Sequence, residues 1–331
     1  SDGAIAAHGG AISNPEGLMI AFFETLEAQA IARSAGSQDA GPDGEALPVY
    51  VTASGLDLQQ LIGKFLLMAV NFSQGTDDYL SNDVDGKGLL ASNAATESAY
   101  TDLEHAWDEA FGYFGAARDY ANYTDEELSA KGGRDDWQGY HDTDGDGMID
   151  LGSEYNFAAS VNAAKRDRGA VAATNFTGDA FGAFLRGRAI IAAADGELTE
   201  AQMTALLVER DAVVTAWEKA VAATVVHYIN ETIVHIDSFG GADYSFSDYA
   251  KAWSEMKGFA LGFQFNPASP LSDVDFVALH GKFADQPVSP KADASVVAAY
   301  RAGLLEARAL MGTTYGFDTA NLGDDSGLGG W

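Results

Sequence analysis

Alternating aspartates between residues 142 and 150 carry the clearest chemistry in this sequence. The segment HDTDGDGMIDLGSE (141–154) places carboxylates at positions 1, 3, 5 and 9 of a D-x-D-x-D-G loop, with a glycine at position 6. Hard oxygen ligands at alternating positions let a short segment wrap one Ca²⁺ ion, and the glycine permits the sharp turn. The pattern predicts an EF-hand-like calcium loop with these ligands: Asp142, Asp144, Asp146, the backbone carbonyl of Met148, Asp150 and Glu154.

One position of this loop departs from the helix–loop–helix pattern. Position 12, which usually carries a bidentate glutamate, is Ser153, and the carboxylate follows one residue later at Glu154. Ile149 is expected to anchor the loop to the core. A solvated acidic turn is the alternative, because Asp and Gly are common turn residues. The motif predicts a structural clasp, since an ion that binds the folded chain alone stabilises it.

Histidines and a carboxylate recur at helical spacing near the end of a long predicted helix, residues 199–236. The run HYINETIVH places His227, Glu231 and His235 at i, i+4 and i+8, so that two imidazoles and one carboxylate share a face. Helical bundles build metal sites from Glu and His on facing helices. Such ligands suit iron, zinc or copper better than calcium.

A similar set is expected on the predicted helix 98–117. His105 and Glu109 lie opposite its apolar stripe, and Asp108 lies on their flank. If the two faces meet, one transition metal would have six candidate ligands: His105, Asp108, Glu109, His227, Glu231 and His235. Solvent-facing histidines are the alternative, because position 105 corresponds to Lys251 in a second, similar segment, and lysine usually faces water.

The two similar segments, 100–114 and 246–260, match without a gap. Five positions are identical, pairing residues 102, 106, 107, 109 and 112 with 248, 252, 253, 255 and 258. Thr101 and Ser247 are expected to be N-caps. The shared glycine costs about 1 kcal/mol in mid-helix and indicates a close backbone approach or a ligand. The match predicts two related helical bundles.

Helical periodicity covers most of the chain and strand alternation is scarce, so an all-α fold is expected. The predicted helices span 15–34, 56–73, 98–117, 156–168, 176–195, 199–236, 246–262, 273–284 and 292–311. The helix at 199–236 is long enough that a break or kink is expected within it. The expected domains are a flexible N-terminal segment (1–14), a first helical bundle (15–140), the calcium loop (141–155), a second helical bundle (156–315) and a Gly-rich C-terminal tail (316–331).

Composition favours a protein that binds cations outside the cytosol. The 331 residues include 49 acidic and 19 basic side chains, and the net charge of −30 disfavours nucleic acid and anionic membranes as partners. The chain has no cysteine, which excludes disulfides and thiol chemistry, and no apolar run of about 20 residues that would span a membrane. Because the sequence begins at Ser1 and weak calcium loops function where calcium is millimolar, an exported, processed protein is expected.

Three segments carry a resemblance to a known family: LEHAWDEAFGYFGAARDY (103–120), KFLLMAVNFSQGTDDYL (64–80) and DTDGDGMIDLGSEYNF (142–157). They resemble uncharacterised exported bacterial proteins related to the iron-regulated imelysins. The resemblance spans most of the chain and implies two helical bundles, iron acquisition, and a periplasmic location or a lipid anchor in the outer membrane. The His-x-x-Glu metal motif of that family is matched in part, because His105 is followed at the third position by Asp108, with Glu109 one residue further on.

Three functions fit these observations. The first is an exported, calcium-stabilised metal-binding protein that acquires or handles iron or another transition metal. The alternative is a calcium-dependent glycan- or protein-binding module of the cell envelope, which would use clustered aromatic residues: Trp107, Tyr113, Phe114, Tyr244 and Phe246. The third is a metallohydrolase, although the sequence has neither an H-E-x-x-H helix nor an evident nucleophile.

Overall fold

A computed structural model describes residues 14–42, 44–129 and 141–331. Residues 1–13 of the predicted flexible N-terminal segment, and residues 130–140 at the end of the predicted first bundle, lie outside the described residues. The described residues form α-, 3-10 and π-helices joined by turns, with two isolated β-bridges and no strand. The prediction of an all-α fold is confirmed.

Ten α-helices make up most of the described chain. They are α1 (Pro15–Ser34), α2 (Leu58–Leu66), α3 (Asp102–Phe114), α4 (Asp125–Ser129), α5 (Ala158–Gly169), α6 (Phe176–Ala192), α7 (Glu200–Asp237), α8 (Phe246–Ala260), α9 (Asp273–Phe283) and α10 (Ala294–Tyr315). Two π-helical segments, Leu67–Phe72 and Gln74–Tyr79, extend the helical run that α2 begins. Among the described helices, none combines the length and the apolarity that crossing a membrane requires.

The helix starts follow N-cap chemistry. Thr101 caps α3 and forms the predicted capping box with Glu104, each side chain accepting a backbone N–H from the other residue. In α8 the cap is Ser245, which accepts the Asp248 N–H at 3.2 Å. The prediction that Ser247 caps this helix is wrong, because the helix begins earlier and Ser247 already lies in its first turn.

The longest helix, α7, runs for 38 residues without the expected break. Its sequence contains neither glycine nor proline, the residues that most readily interrupt helical hydrogen bonding. The length of a helical pattern therefore gave no reason to expect a break in this case.

The chain folds into two compact units, and neither is continuous in sequence. The first unit contains the described residues up to Met68 together with Ala222–Gln264 and Ala268–Trp331, and the second contains Ala69–Val221 and Phe265–Pro267. The borders fall inside the helical run that begins with α2 and inside α7. The acidic loop (142–154) therefore lies within the second unit, and the predicted domain limits stay a prediction.

The core of the first unit is built around α8. Trp253 is fully buried, and its indole N–H donates to the carbonyl of Phe283 at the end of α9 (3.1 Å) and to the hydroxyl of Tyr300 (2.8 Å). Lys64 of α2 pairs with the buried carboxylate of Glu255 at 3.2 Å. These bonds satisfy polar groups that would otherwise be costly to bury among apolar side chains.

The core of the second unit is an aromatic cluster on the inner face of α3. Trp107 and Phe114 are buried, as the apolar stripe predicts. The ring of Trp107 meets Phe184 of α6 at 5.9 Å between centroids, and its N–H donates to the Phe184 carbonyl at 2.9 Å. Phe114 and Phe72 contact Trp217 of α7 edge-on at 5.3 and 5.4 Å. This packing fixes which face of α3 points outward.

The Gly-rich C-terminal tail (316–331) is part of the first unit and is hydrogen-bonded to side chains of α7 and α10. The side chain of Asn230 donates to the carbonyls of Leu322 (2.9 Å) and Trp331 (3.0 Å). Arg308 donates to the Asn230 side chain and to the Asp324 carbonyl, both at 2.7 Å. Glycine allows the tail to approach α7 closely enough for these bonds, which composition alone does not reveal.

Candidate metal centre

Three carboxylates converge in the acidic loop. Asp142, Asp144 and Asp146 are exposed, and each offers an oxygen within 4.8 Å of the oxygens of the other two. Asp142 accepts hydrogen bonds from the backbone N–H groups of Gly145 (2.6 Å) and Gly147 (2.9 Å). Both glycines have positive φ angles, 77° and 78°, which other residues rarely adopt. The loop thus gathers oxygens around a tight turn, an arrangement that suits a hard cation.

Glu154 closes this loop through hydrogen bonds. One carboxylate oxygen accepts the Thr143 N–H (2.6 Å) and hydroxyl (2.7 Å), and the other accepts the Asp150 N–H (3.0 Å). These bonds, the Thr143 hydroxyl first among them, lower the pKa of the Glu154 carboxyl below its usual value. Glu154 is itself buried. Glu154 lies one residue beyond position 12, and its carboxylate bonds Thr143 and Asp150 of the loop. That Glu154 also binds calcium stays a prediction.

Two other predicted ligands lie at the end of the loop. Asp150 accepts the Ser153 hydroxyl and the Gly152 N–H (2.9 Å), and these bonds lower the pKa of its carboxyl. The side chain of Met148 is exposed, and its N–H donates to Asp146 at 2.7 Å. The N–H of Met148 is thus bonded within the loop. The predicted calcium ligand at this residue is its backbone carbonyl, a different group.

Two hydrogen bonds to the segment after α3 anchor the loop. Ile149 was expected to fill this role, but it is 37% exposed, so that prediction is wrong. Instead the Arg118 N–H donates to the Ser153 carbonyl at 2.8 Å, and the Asn156 side chain accepts the Ala117 N–H at 2.8 Å. The segment after α3 therefore holds the loop, a contact that local spacing does not predict.

A histidine that the sequence interpretation did not use borders the loop. Nδ1 of His141 lies 2.7 Å from a carboxylate oxygen of Asp119, and its ring stacks on Tyr123 with centroids 3.6 Å apart. Because the partners are separated by about 20 residues along the chain, no periodicity links them. The pair fixes the entry of the loop.

The predicted ligands on α3 divide into two groups. Nε2 of His105 lies 3.8 Å from a carboxylate oxygen of Glu109, and their side chains are 49% and 40% exposed. Asp108 instead accepts the Nε–H of Arg188 at 3.0 Å, while Nη1 of Arg188 donates to Glu104 at 2.8 Å. Burial raises the pKa of the Asp108 carboxyl in spite of this cation. Asp108 thus serves an ion pair, and its arginine partner had no signal in the sequence.

The predicted ligands on α7 are a surface pair and a half-buried imidazole. Nε2 of His227 lies 3.8 Å from a carboxylate oxygen of Glu231. His235 lies one turn further, with its ring 6.4 Å from that of Tyr249. Burial lowers the pKa of His235, which keeps its imidazole neutral, the form that binds metals.

These histidine sets belong to different units of the chain. His105, Asp108 and Glu109 lie in the second unit, and the α7 set lies in the first. Over the described ranges, one group of three His, Asp or Glu side chains has donor atoms close enough for a shared ion, and it is the aspartate group of the acidic loop. The six-ligand transition-metal site stays a prediction.

The chain was also compared with known proteins. No curated protein and no solved structure matches it significantly. One family model matches residues 16–272, which is more than three quarters of the sequence and includes the acidic loop, the α3 face and the α7 face. The chain belongs to the family described as a domain of unknown function, DUF4856.

Proposed function

We propose that this protein binds calcium through the acidic loop and uses the ion as a structural clasp between α4 and α5. The observation that carries the proposal is the convergence of Asp142, Asp144 and Asp146, whose oxygens lie within 4.8 Å of one another. Three negative charges at this spacing repel each other unless a cation lies among them. Hydrogen bonds from loop N–H groups already hold the turn, so little further ordering is needed when the ion binds.

The same loop supports the expectation of export. Its four aspartates are exposed, and its carboxylate at position 13 is engaged by protein donors. Both features favour weak binding, with a Kd of about 10⁻⁴–10⁻³ M as in extracellular modules. A site of this affinity fills where calcium is millimolar. We therefore infer an exported protein, in the periplasm or anchored by lipid to the outer membrane.

Calcium titration by calorimetry, paired with thermal unfolding, tests this function. We expect one calcium per chain and a rise in Tm with calcium concentration, because a ligand of the folded state stabilises it. The double variant Asp144→Asn plus Asp146→Asn removes two charges while it keeps the side-chain oxygens that accept loop N–H groups. It should weaken binding at least about tenfold, because calcium affinity depends on the number of charged ligands.

The matched control is Asp85→Asn plus Asp243→Asn, which removes two exposed charges elsewhere in the chain. It should leave calcium binding close to that of the wild type. An equal loss in both double variants would show that calcium responds to net charge alone. A wild-type chain that binds no calcium at millimolar concentration would also rule the clasp out.

Transition-metal handling is the second candidate, and the two His–Glu pairs on α3 and α7 favour it. Each pair has nitrogen and oxygen donors 3.8 Å apart on partly exposed side chains. Imidazole and carboxylate ligands suit iron, zinc or copper. The acidic surface would concentrate such cations near the pairs.

Elemental mass spectrometry of protein purified without chelator, before and after EDTA dialysis and reloading, tests this second candidate. We expect a stoichiometric transition metal in the wild type and its loss in the double variant His105→Ala plus His227→Ala. Asn122→Ala serves as a matched surface control. Calcium alone in the wild type, with no transition metal after reloading, would exclude metal handling.

We also propose that the two units carry related bundles, as in imelysin-like proteins. The tryptophans that match in the two similar segments support this, because each donates its indole N–H to a phenylalanine carbonyl of a neighbouring helix. Trp107 donates to Phe184 at 2.9 Å and Trp253 to Phe283 at 3.1 Å. A glycan-binding module has less support, since Trp107 and two other aromatics named for it, Phe114 and Phe246, are buried.

A further inference from the structure

A stripe of three donor side chains runs along the exposed face of α3. His105, Glu109 and Tyr113 follow one another at intervals of four residues, which places them one above the other on the helix surface. The imidazole and the carboxylate already lie 3.8 Å apart. The stripe therefore adds a phenol to the nitrogen and oxygen donors that were predicted from sequence.

A second phenol reaches this stripe from another element. Tyr79 ends the π-helical segment that packs along α3, and its ring lies 5.5 Å from that of Tyr113. π-Helical turns are frequent at functional sites because they displace one side chain from the regular helix surface.

A glycine beside the stripe leaves its surface uncovered, and no close contact with another element requires a glycine there. Gly112 lies on the same exposed face of α3, and a Cβ atom at this position would meet no atom outside its own helix within 4 Å. Glycine in mid-helix costs about 1 kcal/mol relative to alanine. The missing side chain leaves the space over the stripe clear for a ligand.

We propose that His105, Glu109, Tyr113 and Tyr79 bind ferric iron as one imidazole, one carboxylate and two phenolates. This rests on the proposed metal-handling function and names its metal and its ligands. A hard, trivalent cation prefers anionic oxygen donors, and protein tyrosinates serve as iron ligands. The carboxylate and two phenolates supply three negative charges, which balance the charge of Fe³⁺. Each phenol releases its proton to solvent on binding.

Asp108 lies outside this site. Arg188 holds its carboxylate at 3.0 Å, and the same guanidinium bonds Glu104. Recruiting Asp108 to a metal would take away one of the two carboxylates that Arg188 bonds. Asp108 thus serves the ion pair, and the phenols supply the further oxygen ligands of the proposed site.

Visible absorption of the full-length protein tests the site, with ferric nitrilotriacetate as the iron source and calcium present throughout. Iron(III) bound by phenolate has a charge-transfer band that imidazole and carboxylate do not produce. We expect this band to grow to one iron per chain. Tyr79→Phe and Tyr113→Phe should each reduce it by about half, and the double variant should abolish it. Phenylalanine keeps the ring packing, and an unchanged Tm would show that each variant is folded.

Tyr50→Phe, a half-buried tyrosine of the first unit, is the matched control and should keep the full band. A band that persists in the Tyr79/Tyr113 double variant would overturn the proposal. So would iron that is retained without a band but lost in His105→Ala, although that result would leave metal handling intact. A wild type that retains no iron and shows no band would overturn the tyrosine site and ferric handling together.

Discussion

At the scale of single residues, Gly112 and Gly258 occupy matching positions in the two similar segments but have different surroundings. Gly258 of α8 faces α2 so closely that a Cβ atom would lie 2.8 Å from Cβ of Lys64 and 3.2 Å from the carbonyl oxygen of Leu61. Gly112 of α3 faces open space. The first glycine permits helix packing, and the second leaves an exposed surface bare.

Alanine substitution separates these two roles. Gly112→Ala should raise the free energy of unfolding by about 1 kcal/mol, because alanine favours the helix and meets nothing there. Gly258→Ala should lower it by about 1–3 kcal/mol, the usual cost of overpacking. Urea unfolding of both variants measures this. If Gly258→Ala were as stable as the wild type or more stable, Gly258 would not be required for the packing of α8 on α2. If Gly112→Ala lowered the free energy of unfolding, the space beside Gly112 would not be open.

Lys257 is a second residue whose surroundings decide its chemistry. It is fully buried in α8, and its ammonium donates to the Ala284 carbonyl at 2.9 Å. Burial lowers the pKa of Lys257 to about 7, and nearby Asp285 opposes that shift only in part. Ala284 has a φ angle of 61°, which a residue other than glycine rarely adopts. Burial therefore makes the charged form of Lys257 less favourable in the folded chain than in the unfolded chain.

The stability of the protein should consequently depend on pH through Lys257. Between pH 7 and about 10.5 the unfolded chain binds a proton that the folded chain does not, so stability rises with pH across this window. The whole window corresponds to about 4–5 kcal/mol at 1.36 kcal/mol per pKa unit. Lys257→Met should remove this rise, and unfolding measured at pH 7 and pH 9.5 would show it.

Lys251→Met is the matched control for this variant, because Lys251 is exposed on the same helix. It should keep the wild-type dependence on pH. A slope that is the same in the wild type and in Lys257→Met would mean that Lys257 keeps its charge in the folded chain.

At the scale of elements, Asn230 joins α7 to α10 and to the C-terminal segment. Its amide donates to two carbonyls of that segment and its oxygen accepts from Arg308. A Cβ atom on Gly327 would lie 2.5 Å from the Asn230 carbonyl oxygen, so the segment approaches the helix backbone itself. One side chain thus satisfies polar groups of three elements.

Asn230→Ala should release this segment. The loss of three buried hydrogen bonds should cost about 3 kcal/mol, at about 1 kcal/mol each. Hydrogen exchange should quicken at the amides of residues 317–331, and Asn122→Ala, at an exposed asparagine, should change neither quantity. Unchanged protection of the segment in Asn230→Ala would show that contacts other than those of Asn230 hold it.

At the scale of the whole molecule, the large negative net charge is the feature that most affects stability. The net charge of −30 arises from 49 acidic and 19 basic side chains, and the acidic loop gathers three of the acids at one point. Several basic side chains are occupied in ion pairs, such as Arg301 with Asp237 and Arg186 with Glu209. Self-repulsion of this size destabilises a compact state.

Salt should therefore stabilise the protein. Raising sodium chloride from about 0.01 M to 0.15 M shortens the Debye length from about 30 Å to 8 Å and screens the repulsion. We expect Tm to rise over this range, measured by thermal unfolding in the presence of EDTA. Calcium in excess of EDTA, at equal ionic strength, should raise Tm further in the wild type, and by less in the Asp144/Asp146 double variant. A Tm that falls with salt would mean that ion pairs outweigh the repulsion.

Much of this could be derived from the sequence, because local spacing fixes local structure. The apolar stripe of α3 buries Trp107 and Phe114 and turns His105 outward, as a 3.6-residue period requires. The Thr101 cap and the tight turns of the acidic loop follow in the same way from residue types at fixed offsets. All of these features depend on neighbours within one or two turns of chain.

Only the tertiary structure decided which residues, distant in sequence, contact each helix face. Glu109 and Glu255 match in sequence, yet Glu255 is buried against Lys64 while Glu109 stays exposed beside His105. The same holds for Asp108, whose partner Arg188 lies 80 residues away. Periodicity shows that a face is apolar or polar but carries no information about what covers it. The partner depends on how chain segments far apart in sequence pack together, and that packing is settled across a whole folded unit.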